Sequence, residues 1–322
     1  MPTDIVCFDL EGPLSPQDNA YEVMGLVPNG HRIFEVISRY DDLLALEGRP
    51  DYEPGTTLAL IVPFLVLHGL SEEDIERVSA RAVLVSGARE LIADLQGEGW
   101  SVFIISTSYQ QHALWTAQRL GVELENVACT SLPLARYRQQ LEDEDKALLV
   151  EAERNILRLY PPRDDEEIRR QLDRFFWGDL PQTKLGKVLE EVKVMGGRRK
   201  VEAAGDFARR KGCTLADVVA VGDSITDAAM LQAVHRAGGL AIAFNANQYA
   251  LPHANVGLAS TDLWELRPIL AAWREGGREG VKNALDGKTN PTWLGDGGDL
   301  DKVLALHMKM RRLVRNAAAE LG

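Results

Sequence analysis

Residues 217–227 read DVVAVGDSITD, an apolar run that stops abruptly at a glycine, an aspartate and a turn. An unbroken stretch such as Val218 to Val221 marks a strand covered on both faces. Gly222 and the polar residues behind it end that strand. The next residues, TDAAMLQAVHRAGG (226–239), carry helical spacing, and LAIAF (240–244) is a second buried strand. Strand, turn, helix and strand in that order predict a parallel sheet with helices on both faces.

The same grammar recurs toward the amino terminus. Asp4 to Phe8 (DIVCF) is a strand that runs into Asp9 and the breakers Gly12 and Pro13. The helix ARELIADLQGEG (88–99) leads to the strand WSVFIIST (100–107), which opens into Ser106, Thr107 and Ser108. The helix Gln110 to Leu120 stops at Gly121, VELENVACT (122–130) supplies a third strand, and RRKVEAAGDFARRKG (198–212) a further helix. The expected fold class is α/β, a Rossmann-like parallel sheet. Residues 1–14, 84–131 and 196–275 form its core.

Two stretches interrupt that core. Residues 15–83 are helical, with HRIFEVISRYDDLLAL (31–46), SEEDIERVSARAVL (71–84) and, between them, LALIVPFLVLHGL (58–70), expected as one buried helix. Ser71 followed by Glu72, Glu73 and Asp74 is a strong helix start. Residues 132–195 hold charged helices, EDEDKALLVEAERNILRLY (142–160) and PPRDDEEIRRQLDRFF (161–176), and form a second insertion or a lobe beside the main domain. In the tail 276–322, Gly276 to Gly298 reads as a loop. Asp299 to Leu321 reads as a last helix with Arg311, Arg312 and Arg315 at its basic end.

Composition narrows the partners. The chain has 322 residues, 45% hydrophobic and 26% charged, with a formal net charge of −12. That balance suits a folded domain and argues against nucleic-acid or anionic-membrane binding, which need a positive surface. Cys7, Cys129 and Cys213 are sparse and unpaired in spacing, as in a reducing compartment. The start, MPTDIVCFDL, lacks the pattern of a secretory signal, and 58–70 is too short to span a bilayer. The expected location is cytoplasmic. Six scattered histidines offer no zinc spacing.

Four chemical features stand at strand ends or helix starts, in the order Asp9-Leu10-Glu11-Gly12, Ser106, Lys200 and Gly222-Asp223-Ser224-Ile225-Thr226-Asp227. Ligands of open parallel sheets bind at the carboxyl ends of strands, where strand order reverses. With the first strand beside DVVAV, Asp9 and Asp223 face one crevice, and two such carboxylates need a cation between them. Magnesium suits the site, because it takes oxygen ligands and few carboxylates together with a phosphate oxygen. A phosphate ester must be neutralised before a carboxylate attacks it, and Lys200 supplies part of that charge. Glu11, two residues beyond Asp9 on an extended chain, is placed to act as acid and base. Ser106 would hold the phosphoryl oxygens, with Ser108 as the alternative hydroxyl. Asp227, one turn into its helix, would reach the metal waters or Lys200.

This constellation resembles the haloacid dehalogenase superfamily, across residues 1–14, 84–131 and 196–260. The motif FDLEG matches the family's first motif, which implies that Asp9 is the nucleophile and that the metal is held by its carboxylate and the backbone carbonyl of Glu11. Ser106 matches the second motif, Lys200 the third, and Gly222, Asp223 and Asp227 the fourth. A glutamate stands at position 11 where the family usually has aspartate. The DLEG variant and a helical cap at 15–83 resemble the phosphoserine phosphatase and homoserine phosphotransferase branch. The resemblance implies a Mg2+-dependent phosphatase acting on a small phosphorylated metabolite through an aspartyl phosphate. Two alternatives stay open: a phosphotransferase with an alcohol acceptor, and a non-catalytic subunit or assembly factor of the same fold.

Overall fold

The computed structural model describes residues 4–49, 52–295, 297, 299–315 and 318–319. Seven strands form one sheet: β1 (Ile5–Phe8), β2 (Ser101–Tyr109), β3 (Val127–Thr130), β4 (Val218–Gly222), β5 (Leu240–Phe244), β6 (Val256–Leu258) and β7 (Thr292–Trp293). Their spatial order is β3-β2-β1-β4-β5-β6-β7. All neighbouring pairs are parallel except β6 with β7. The fold is therefore α/β with a mostly parallel sheet, and the sequence pattern is borne out.

Period-two alternation explains why the strands read as continuous apolar runs. Val6, Phe8, Val102, Ile104, Val219 and Val221 face one hydrophobic core, shared with Leu91, Leu95, Ile269 and Leu270 from helices. Ile5, Cys7, Phe103, Ile105, Val218 and Ala220 face the other, shared with Phe207, Leu231 and Val234. Cys7 is thus a small core residue, and burial pushes its thiol up to about 12.

Residues 15–83 and 132–195 meet over a third core. Ile33, Ile37, Leu60, Phe64, Leu149, Ile156, Ile168 and Phe176 belong to one buried cluster. Polar ties reinforce it: Arg39 to Asp165 at 2.6 Å, Tyr40 to Asp173 at 2.5 Å and His68 to Glu153 at 2.6 Å. The apolar run 58–70 is buried as expected but forms two short helices, Thr57–Leu60 and Val62–Leu67. Pro63 lacks an N–H and sits in the first turn of the second helix, so the chain restarts there.

The tail differs from its expected form. Residues 276–285 are not a loop, because the helix Arg267–Leu285 runs through them with a break at Gly277. Val281 and Leu285, four residues apart, are buried against the sheet and hold the resumed helix in place. The strands β6 and β7 are too short to show a period. The last helix spans Leu300–Arg315. Its expected extension to Leu321 includes residues 316, 317, 320 and 321, and the expected loop includes 296 and 298, all of which lie outside the described residues, as do 1–3. No described helix is long and apolar enough to cross a membrane.

Candidate active site

Strand order reverses at β1, which lies between β2 and β4. Register puts Phe8 level with Ile104 and Val221, so Asp9, Ser106 and Asp223 all emerge at the carboxyl edge of the sheet. The Asp9 amide donates to the Val221 carbonyl at 2.8 Å, which ties the two loops together. Gly12 then lets them approach. Its φ is +110°, and a Cβ there would stand 2.2 Å from Asp223 Oδ2. Only glycine fits both the backbone and the space.

Lys200 reaches the same place from a helix start. It occupies the first turn of the helix Arg198–Arg210. The Gly197 amide donates to the Thr226 carbonyl at 3.0 Å, joining that turn to the loop after β4. Glu53, from the helical body, accepts from the Arg198 amide at 2.7 Å and so places a carboxylate at the helix's positive end.

The result is a buried charge cluster. Lys200 Nζ donates to Asp9 Oδ1 at 2.8 Å and to Asp227 Oδ1 at 2.7 Å. The ammonium has no exposed surface. Burial alone would favour its neutral form, but Asp227 and Asp9 outweigh that and hold it above the ordinary lysine value. Burial, followed by the charge of Asp227, pushes the Asp9 carboxyl upward, while Lys200 pulls it back. Asp227 Oδ2 accepts from the backbone amides of Asp223 at 3.0 Å and Ser224 at 3.2 Å. Both oxygens of Asp227 are therefore engaged with the protein.

Asp223 is different. Its Oδ1 is buried and has no hydrogen-bond partner among the described residues. One oxygen each from Asp9, Asp223 and Asp227 lie within 4.8 Å of one another. Three buried carboxylates with one orphaned oxygen, and only oxygen donors, fit a hard divalent cation.

Glu11 lies beside this cluster. Its Oε1 accepts from the Asn19 amide at 2.8 Å. Burial first, and then the charge of Asp18, pushes its carboxyl up to about 7. Ser106 is buried, and its hydroxyl accepts from the Ser108 amide at 3.1 Å. The Ser108 hydroxyl is also buried, and it pulls the Glu11 carboxyl partly back down. Thr107, rather than either serine, lines the cavity over Asp9, together with Glu11, Asp18, Asp42, Thr226 and Arg315.

Sequence reasoning missed two members. Arg311 and Arg315 leave the last helix and both bond Asp223 Oδ2, Arg315 at 2.8 Å. In the sequence they stand as charges suited to a helix end. Their spacing with His307, every fourth residue, was the available signal of a shared face.

No family model matches the chain. A phosphoserine phosphatase of Archaeoglobus fulgidus is 22% identical over 266 residues, 83% of this chain. The chain spans 59% of that curated relative's length. The structure of gene product AF1437 from Archaeoglobus fulgidus superposes with a TM-score of 0.85 at 31% identity, covering 99% of each chain. A substrate-bound phosphoserine phosphatase complex superposes with a TM-score of 0.55 at 19% identity, over 83% of this chain and 98% of that one. The last likeness is one of fold.

Proposed function

We propose that this chain is a haloacid dehalogenase-type enzyme near the phosphoserine phosphatase branch, a Mg2+-dependent phosphatase of a small phosphorylated metabolite. The observation that carries the reading is the buried cluster of Asp9, Asp223 and Asp227, the first and last bonded to Lys200, at the reversal point of the sheet.

In this reading Asp9 attacks phosphorus in line through the carboxylate oxygen that Lys200 does not hold. The P–O bond to the leaving alcohol breaks, and Asp9 carries the phosphoryl group as an acyl phosphate. Glu11, with its carboxyl pushed up to about 7, gives its proton to the departing oxygen. The resulting carboxylate then accepts a proton from water, which attacks the acyl phosphate and frees Asp9. Lys200 neutralises the phosphoryl oxygens and keeps Asp9 oriented. Ser106, expected to supply a hydroxyl, instead braces the strand through its bond to the Ser108 amide, and Thr107 is the residue of that segment that lines the cavity. Asp9, Asp223 and the Glu11 carbonyl would hold magnesium, with Asp227 fixing Lys200 and the Asp223 loop. The bound ion would supply charge neutralisation at the transferring group.

The cavity holds about 70 Å³, well below the roughly 300 Å³ at which ligand pockets usually begin. The helical body formed by 15–83 and 132–195 must therefore move to admit a metabolite, and on closing it would exclude water from the first step. Phosphate release from a panel of small phosphomonoesters, with magnesium and with chelator, tests the reading. Chelator-sensitive turnover of at least one member is expected. Absence of turnover across the panel would favour the non-catalytic alternative, and alcohol-dependent product formation would favour a phosphotransferase.

A further inference from the structure

The buried face of the helix Leu300–Arg315 is polar. His307, Arg311 and Arg315, one turn apart, are its buried residues. His307 Nδ1 accepts from the Ala246 amide at 2.9 Å. Arg311 donates through Nε to the Ala319 carbonyl at 2.8 Å and through Nη1 to the carboxylate and carbonyl of Asp223. Arg315 donates through Nη1 to the same Asp223 Oδ2 at 2.8 Å, and through Nε to the Pro16 carbonyl at 3.3 Å. Two guanidinium groups thus share one oxygen of the carboxylate whose other oxygen has no hydrogen-bond partner among the described residues.

We propose that Arg311 and Arg315 set the affinity of the catalytic cation site by opposing the ion, so that metal binding and seating of the carboxyl-terminal helix weaken each other. The proposal rests on the cation reading given above. Its physical core is a competition between repulsion and orientation. Partners beyond the ligand shell normally orient a ligand, and their loss weakens metal binding by about 10- to 100-fold. The Asp223 main chain is fixed independently of the arginines. Its amide donates to Asp227 Oδ2, its carbonyl accepts from the Asn247 amide at 2.9 Å, and Gly12 walls its carboxylate. What the arginines add is charge. Arg311 has no exposed surface and Arg315 is 7% exposed, so water does little to screen them from an ion on the same carboxylate. Coupling of this kind is reciprocal: if the seated arginines weaken the ion, the ion must loosen the helix.

The test uses the full chain with Mn2+ as the probe, counting free ion by electron paramagnetic resonance. Arg315→Gln should bind Mn2+ roughly tenfold or more tightly than the unaltered protein, a size typical of coupling between sites. Arg315→Lys, which keeps the charge, should stay near the unaltered affinity. In the unaltered protein, saturating Mg2+ should lower hydrogen-exchange protection of amides 300–315. Equal or weaker Mn2+ binding by Arg315→Gln would overturn the proposal and leave the cation reading intact. If neither form binds Mn2+, the cation reading falls and takes this proposal with it. Should Arg315→Gln not fold, exchange in the unaltered protein decides, and protection that holds or rises with Mg2+ refutes the coupling.

Discussion

Replacing Lys200 with methionine removes the buried cation while nearly preserving the length of its side chain. The ammonium holds Asp9 at 2.8 Å and Asp227 at 2.7 Å, with side-chain exposures of 0%, 5% and 0% for the three groups. Breaking such a pair strands the partner charges in a site they cannot leave, at a cost of about 3–5 kcal/mol. Here two carboxylates are stranded and a third, Asp223, stands close by, so the upper part of that range is expected. Urea unfolding at neutral pH measures it. The dependence on pH has a definite sign. Asp9 is already pushed upward by burial and by Asp227, with Lys200 pulling it down, and removal of Lys200 raises it further. A carboxyl with a raised folded pKa binds its proton more readily in the native state, so the variant's deficit is largest at high pH. It shrinks as pH falls into the range where Asp9 titrates. A loss under about 1 kcal/mol, in the range of a surface pair, or a deficit that grows on acidification, would refute the reasoning.

Other expectations follow from single residues. Because the Glu11 carboxyl is pushed up to about 7, the fraction protonated falls above that pH. The ratio kcat/KM for substrates with poor leaving groups should fall with it, and Glu11→Gln should be slow and lack that limb. A profile unchanged by the substitution would remove Glu11 from proton transfer. Gly12→Ala forces a Cβ to within 2.2 Å of Asp223 Oδ2 at φ +110°. It should lower turnover by at least roughly tenfold, since misplacing a reacting group by about 1 Å costs more than that, and near-normal rates would contradict the described packing. Tyr40→Phe removes the hydroxyl shared by Asp173 and the Trp177 indole. It should cost about 1–3 kcal/mol in denaturant unfolding, and no loss would mean that this tie between 15–83 and 132–195 is dispensable.

The sequence made the sheet legible where strands were continuous apolar runs ending at Asp9 and Gly222, because strands buried on both faces leave that trace; β2 instead continues past its apolar run, through Ser106 to Tyr109. The sequence said less about β6 and β7, which have three and two residues and carry no period of their own. The loop expected after Gly276 is partly helix, since two glycines interrupt a pattern that Val281 and Leu285 resume. Asp9, Lys200, Asp223 and Asp227 were legible because each closes or opens an element. Arg311 and Arg315 were not, because their role depends on a helix that crosses from the far end of the chain to the loop after β4. The shared core of 15–83 and 132–195 was equally hidden. Amphipathic helices announce an apolar face but not its partner.

The proposed mechanism requires that Asp9 carry the phosphoryl group. The most direct measurement is acid-quenched labelling with a turned-over phosphomonoester in the presence of Mg2+, followed by mapping of the modified peptide. The label is expected on Asp9 and should be absent from Asp9→Asn. Label on another residue, or undiminished turnover by Asp9→Asn, would contradict it.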